Sequence, residues 1–135
     1  MAAREAARRR QLEAEFQDAI KRFKRGELDD AAQQFAKLTA DDPDWVAPRQ
    51  LLAEIYYRTG RLAAARLQLD WLAEHGVEHP RLALIAGALA LACRDFVAAL
   101  EPLEYAAFVE PDLPSVHTLL GMVLLRQHRW DLAHR

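Results

Sequence analysis

The hydrophobic pattern of the chain is most uniform in one stretch, "RLALIAGALALAC", which covers residues 81–93. After Arg81 it contains no polar side chain up to Cys93. The stretch is shorter than the about 20 apolar residues that span a bilayer, and it lacks the polar face of an ordinary surface helix. A helix here is therefore predicted to be covered on more than one side, by the protein alone or with the help of a partner.

The rest of the chain favours helices as well. Alanine, leucine, glutamate and arginine dominate, and these residues are strong helix formers. Glycine and proline are sparse, at 5 and 6 residues, and there is no clear alternating run of β-branched residues. The chain is therefore predicted to be all-α, and its 135 residues suffice for one domain with a sizeable core.

An internal repeat runs through the sequence with a period of 34 residues, marked by Ala31, Ala65, Ala99 and Ala133. Other positions recur in the same register. They are the glycines Gly26 and Gly60, the small residues Ala19, Ala53, Gly87 and Gly121, and the large apolar residues Leu28, Leu62, Phe96 and Trp130. A fixed period of about 20 to 50 residues indicates stacked structural units.

This pattern resembles the tetratricopeptide repeat, a family whose unit is two antiparallel helices in roughly 34 residues. The segment "PRQLLAEIYYRTGRLAAARLQLDWL" matches best, with Ala53, Tyr56, Gly60, Ala65 and Leu69 at the family's positions. The resemblance implies an α-α superhelix, a right-handed superhelical array of antiparallel helix pairs. Its parts would be an N-terminal helical extension at 1–11, repeats at 12–45, 46–79 and 80–113, and a partial repeat at 114–135.

The sequence departs from the family pattern at several positions, and each departure leads to a separate prediction. The turn glycine is replaced by Arg94 in the third unit and by His128 in the fourth, so turns are expected there without glycine's freedom. Pro102 is expected to kink or loosen its helix. The first helix extends backward through "AREAARRRQLEAE" and should exceed its counterparts in length. Because the fourth unit stops early, we expect the chain to be a fragment of a longer protein.

The resemblance also implies a binding surface, because the first helices of the units line a concave groove that usually binds a peptide or helix of another protein. Carried over by position, the groove residues are Gln50, Glu54, Tyr57 and Arg58 in the second unit, Arg81, Leu84, Ala88 and Leu91 in the third, and Thr118, Met122, Leu125 and Arg126 in the fourth. Tyr57 and Arg58 are the expected directional contacts, since tyrosine and arginine are favoured at interaction hot spots.

Part of this groove is expected to be an apolar strip made of Leu84, Ala88, Leu91, Met122 and Leu125. Such a patch is unusual on a soluble monomer, so it favours a partner helix or a second copy of the chain. A second interpretation stays open, in which the central helix is enclosed and the strip is core. The lysine, asparagine and arginine set with which one subclass of the family grips the C-terminal carboxylate of heat-shock chaperones is missing.

Catalytic and metal-binding patterns do not stand out. His75 and His79 lie four residues apart, but Gly76 lies between them and no third ligand recurs nearby, so no metal and no cofactor is expected. Cys93 is interpreted as a small buried hydrophobe. Ser115 is interpreted as a helix cap.

Two further groups of residues are interpreted structurally. Trp130 occupies the recurrent large apolar position of the second helix and is expected in the core. The basic cluster near the N-terminus alternates with glutamates and is expected to form a solvated helix face. Its members are Arg4, Arg8, Arg9 and Arg10.

The predicted function is a non-enzymatic scaffold for protein–protein interaction that binds a peptide or amphipathic helix of a partner. The net charge of −2 gives no pull toward nucleic acid or an anionic membrane. The N-terminus lacks the apolar segment of a secretory signal, so the cytoplasm is the expected compartment. Three alternatives stay open: the N-terminal scaffold of a larger enzyme, a self-associating module that forms homo-oligomers, and a small chaperone for a secreted protein.

Overall fold

A computed structural model describes residues 1–134, and within that range the chain forms seven helices and no strand. The all-α prediction is confirmed. In chain order the helices are α1 (Ala2–Lys24), α2 (Leu28–Asp41), α3 (Val46–Arg58), α4 (Leu62–Glu74), α5 (Pro80–Ala92), α6 (Phe96–Val109) and α7 (Val116–Ala133). They form two compact units, an N-terminal unit of residues 1–68 and a C-terminal unit from Leu69 onward, and α4 contributes to both.

The core of the N-terminal unit is built around Phe35 of α2. Phe35 is fully buried together with Leu38, Leu52 and Ile55. Phe16 of α1 meets the Phe35 ring edge-on, with 5.7 Å between ring centroids, an arrangement that aromatic rings prefer. Since α2 packs against both α1 and α3, this cluster holds three helices together.

Trp45 adds to the same cluster from the segment that precedes α3. Its ring lies 4.8 Å from that of Phe16, centroid to centroid. The guanidinium carbon of Arg9, a residue of α1, lies 5.6 Å from the Trp45 ring centroid, within the range of a cation–π contact. These contacts of Trp45 therefore hold the start of α3 against α1.

The extended start of α1 is tied to the end of α2. Arg9 forms an ion pair with Asp42 at 2.9 Å, and Arg8 donates a hydrogen bond to the carbonyl oxygen of Asp41 at 3.2 Å. At 23 residues, α1 is longer than the other helices of the described chain, as expected. Two of the four clustered arginines thus make tertiary contacts, although the whole cluster was expected to face solvent.

In the C-terminal unit, α6 packs against α5 and α7, and α5 also contacts α7. The buried cluster of this unit contains Leu84, Leu91, Leu103, Val116 and Val123. Its burial supplies the main stabilising term, about 25 cal/mol for each Å² of apolar surface removed from water. α6 continues through Pro102 as one helix.

The recurring small residues differ in what they contact. Ala19 and Ala53 are fully buried. At the same position of α5, a Cβ added to Gly87 would overlap the side chain of Leu103. A Cβ added to Gly121 of α7 would meet nothing within 4 Å. Close packing therefore requires the small residue in α5 but not in α7.

Four turns between consecutive helices share one backbone conformation, with φ of +82° at Gly26, +78° at Gly60, +70° at Gly76 and +59° at Arg94. In each turn the following N–H donates to the carbonyl oxygen five residues earlier, as in a Schellman ending. These hydrogen bonds join Glu27 to Arg22 at 3.0 Å, Arg61 to Tyr56 at 2.8 Å, Val77 to Leu72 at 2.9 Å, and Asp95 to Ala90 at 2.9 Å. The turn without glycine therefore forms in the same geometry, and Arg94 adopts a conformation that L-residues disfavour.

The fourth unit departs from the prediction, because no turn forms at His128. α7 is a single helix from Val116 to Ala133. The turn was expected from the repeat register alone, whereas no glycine or proline follows Gly121 to interrupt the helix. Ser115 has a φ of +70° at the N-cap position, and its side chain makes no capping hydrogen bond, so that interpretation is wrong as well.

Candidate interaction surface

Four of the predicted groove residues lie on α3 of the N-terminal unit. Gln50, Glu54 and Tyr57 are half-buried, and Arg58 is exposed. Arg58 forms an ion pair with Glu54 at 2.8 Å, and its guanidinium carbon lies 5.2 Å from the ring centroid of Phe23. These contacts hold the Arg58 side chain against the protein, so its cation is already positioned.

α5 exposes much less of the predicted strip than expected. Leu84 is 1% exposed and Leu91 is 7% exposed, because both belong to the buried cluster shared by α5, α6 and α7. The expectation that these two leucines lie open in a groove is therefore corrected. Arg81 and Ala88 are half-buried. The uniformly apolar stretch is mostly core, as the second interpretation had it.

α7 presents its four predicted residues to solvent. Met122 is 38% exposed and Leu125 is 51% exposed. Thr118 and Arg126 are exposed too. The structure thus places the most accessible part of the predicted surface on α7 rather than on α5.

A continuous face of α7 can be defined from these positions. Thr118, Met122, Leu125, Arg129 and Leu132 follow one another at i, i+4, i+7, i+11 and i+14, so they share one side of the helix. We call this face the α7 strip. All five side chains are exposed. Sequence reasoning missed the last two because it expected a turn at His128, and an uninterrupted helical spacing would have found them.

Two residues expected inside the protein lie at its surface. Cys93 is exposed where α5 ends and the turn to α6 begins. Trp130 is 54% exposed, because α7 continues straight and no second helix of the fourth unit folds back over it in the described chain. Its ring stacks instead on His134, with 4.2 Å between centroids.

His75 and His79, which were considered as a metal-binding pair, each form a hydrogen-bonding contact with a nearby backbone group. A ring nitrogen of His75 lies 2.8 Å from the carbonyl oxygen of Trp71, and Nδ1 of His79 accepts the backbone N–H of Arg81 at the start of α5. Across residues 1–134, no group of three or more histidine, cysteine, aspartate or glutamate side chains is placed to hold a metal ion. Over the same range, no helix combines the length and apolarity needed to cross a membrane.

One carboxyl group has a shifted pKa. Nε2 of Gln34 on α2 donates a hydrogen bond to Oδ2 of Asp18 on α1 at 2.9 Å. This bond, together with the charges of Arg22 and Lys21 and against an opposing effect of desolvation, lowers the pKa of Asp18 below its ordinary value. The interaction links α1 to α2 and lies outside the predicted groove.

Comparison with solved structures gives several similar folds. A tetratricopeptide repeat protein from Parabacteroides merdae ATCC 43184 is 20% identical with a TM-score of 0.71, over 82% of this chain and 43% of that one. A mutant of MamA is 20% identical with a TM-score of 0.75, over 90% and 71% of the two chains. The type III secretion chaperone SycD of Yersinia enterocolitica, solved with a peptide of the translocator YopD, is 19% identical with a TM-score of 0.72, over 87% and 95%.

Coverage of the Parabacteroides protein and similarity in sequence to known proteins are both partial. The matched part of this chain covers less than half of the Parabacteroides protein. No curated protein is detectably similar to it in sequence. The model of the tetratricopeptide repeat matches residues 22–89, just over half of the chain. With seven helices, recurring small residues and repeated Schellman turns in the described chain, this match shows that the chain belongs to the tetratricopeptide repeat family.

Proposed function

We propose that the chain is a protein-interaction scaffold that binds an amphipathic segment of a partner protein along the α7 strip. The observation that carries this proposal is the exposure of Met122, Leu125 and Leu132 on one face of a helix whose opposite face is buried through Val116 and Val123. A helix of this kind offers a ready surface for the apolar face of a second helix.

The energetics favour such an interaction. Burying an exposed leucine or methionine side chain contributes about 1.5–3 kcal/mol before the costs of association. Arg126 and Arg129 lie among these apolar side chains and are exposed, and arginine is enriched at interaction hot spots. The proposed mechanism is noncovalent, and it requires no cofactor.

A second contact region is proposed on α3, around Tyr57 and Arg58. The ion pair between Arg58 and Glu54 fixes the guanidinium group, which reduces the conformational entropy lost on binding. The peptide of YopD in the SycD structure supports peptide binding as an activity of this fold. A chaperone that shields an apolar segment of a secreted protein is a narrower form of the same proposal.

The α7 strip is tested by photo-crosslinking in a native lysate. A benzophenone amino acid replaces Thr118 on the strip or Asp70 outside it, and crosslinked proteins are identified by mass spectrometry. We expect a protein that crosslinks from position 118 and is lost in the double variant Met122→Glu plus Leu125→Glu, because two carboxylates cannot be buried against an apolar partner without a large desolvation cost.

A matched control separates this effect from a general loss of apolar surface. Leu67 and Val97 are 69% and 77% exposed and lie outside the strip. The double variant Leu67→Glu plus Val97→Glu should keep the crosslink from position 118. If crosslinking is equal from positions 118 and 70, or persists in the strip variant while circular dichroism shows both variants folded, the proposal is wrong.

A further inference from the structure

The C-terminal unit contains a cavity of about 400 Å³ between the end of α4, the following loop, α5 and α6. This volume lies within the range of about 300–1,000 Å³ that is usual for ligand pockets. Its walls are mainly apolar and include Leu72, Leu82, Ala86 and Pro102. None of its lining residues belongs to the α7 strip, so the cavity is a separate site.

The cavity is open because small side chains face it. Ala83 and Ala86 on α5 leave space that larger residues would fill, and Pro102 contributes a compact ring without an N–H group. Tyr105 of α6 also lines the cavity and is half-buried. An apolar side chain could enter without displacing the neighbouring helices.

The charged groups at this cavity are two carboxylates on different elements. Glu78 belongs to the loop between α4 and α5, and Glu101 belongs to α6. Both are exposed, and within residues 1–134 neither forms an ion pair. His79 also lines the cavity, and its Nδ1 accepts the N–H of Arg81.

We infer that this cavity binds a segment of a partner protein in which an apolar residue is flanked on both sides by lysine or arginine. The apolar side chain would occupy the space over Ala83 and Ala86. The flanking cations would approach Glu78 and Glu101, which lie on different elements at the cavity. Because the cavity is lined by two carboxylates from different elements, a peptide with two cations can pair with both, which favours it over a small ligand with one.

The test is an NMR titration of the isotope-labelled chain with short capped peptides. The probe has a leucine–tryptophan centre with two lysines on each side, and matched probes carry glutamine or glutamate in place of lysine. We expect the backbone signals of Ala83 and Ala86 to shift, with a Kd for the lysine peptide about three- to tenfold below that of the glutamine peptide at low salt. The preference should shrink in 1 M salt, because exposed charges are screened.

Two variants assign the preference to this site. Glu78→Gln plus Glu101→Gln should reduce the difference between the lysine and glutamine peptides to less than twofold. Glu104→Gln plus Glu110→Gln removes the same charge at exposed positions that do not line the cavity and should leave the difference unchanged. Ala86→Leu should weaken all three peptides by filling the cavity, and circular dichroism reports whether it folds.

The alternatives give different results, and each would overturn the inference. Equal affinities for the lysine and glutamine peptides would show that the carboxylates do not select the ligand. Shifts confined to Met122 and Leu125 would place binding on the α7 strip. Binding of the phenethylammonium ion without binding of the lysine peptide would identify a small-molecule site. The strip variant Met122→Glu plus Leu125→Glu should bind the lysine peptide normally, so the two sites can fail independently.

Discussion

Arg94 occupies a turn position that is a glycine in the first two repeat units. Its φ of +59° lies with those of Gly26 and Gly60, and the same hydrogen bond from the next residue closes each turn. The packing of the helices before and after the turn imposes the positive φ on Arg94. An L-residue in this region of backbone space costs roughly 1 kcal/mol.

We therefore expect Arg94→Gly to raise the free energy of unfolding by about 0.5–1 kcal/mol, because glycine adopts a positive φ without a Cβ clash. Urea unfolding followed by circular dichroism measures the change. Arg94→Ala is the control, since alanine keeps the Cβ and should leave the stability nearly unaltered. A similar gain for alanine would mean that the arginine side chain, and not the backbone, carries the cost.

At the scale of elements, the sequence predicted the helices well and their exposure less well. The period of 34 residues located the helix pairs because small and large apolar residues recur at positions that pack. The same register misplaced Leu84 and Leu91, since residues at groove positions can still be covered when the neighbouring helix brings Val116 and Val123 against them. It also predicted a turn at His128, where only the absence of glycine and proline argued for a continuous helix.

Gly87 and Gly121 give a direct test of element packing, because they share one repeat position in different surroundings. Gly121→Ala should stabilise the chain by about 0.5–1 kcal/mol, since glycine inside a helix is unfavourable and the new Cβ meets no atom within 4 Å. Gly87→Ala should destabilise it, because the new Cβ overlaps Leu103. Thermal unfolding of both variants measures the two changes, and changes of the same sign would contradict the packing of α5 against α6.

For the whole molecule, the sequence predicted a binding surface but could not predict its extent. The groove positions followed from the resemblance, whereas the exposure of Leu132 and Trp130 follows from α7 running straight. The cavity beside α6 could not be anticipated either, because it depends on how Ala83, Ala86 and Pro102 meet in space. Periodicity describes which residues face a neighbour, and it does not report the volume that remains between them.

The exposed α7 strip also predicts weak self-association when no partner is present. We expect the average mass in sedimentation equilibrium to rise above 15.3 kDa with increasing concentration, because apolar patches of this kind pair in water. The variant Met122→Glu plus Leu125→Glu should stay at the monomer mass, and Leu67→Glu plus Val97→Glu should behave as the wild type. A wild-type mass that is independent of concentration would exclude the strip as a self-association surface.

The placement of the three tryptophans gives the protein a built-in optical reporter. Trp71 and Trp130 each stack on the histidine four residues later, at 3.8 Å and 4.2 Å between centroids. Trp45 instead lies against Phe16. Because α1 supplies both Phe16 and Arg9 to the surroundings of Trp45, the emission of this tryptophan reports whether α1 is docked, and a variant that keeps Trp45 alone would show the undocking of α1 without a label.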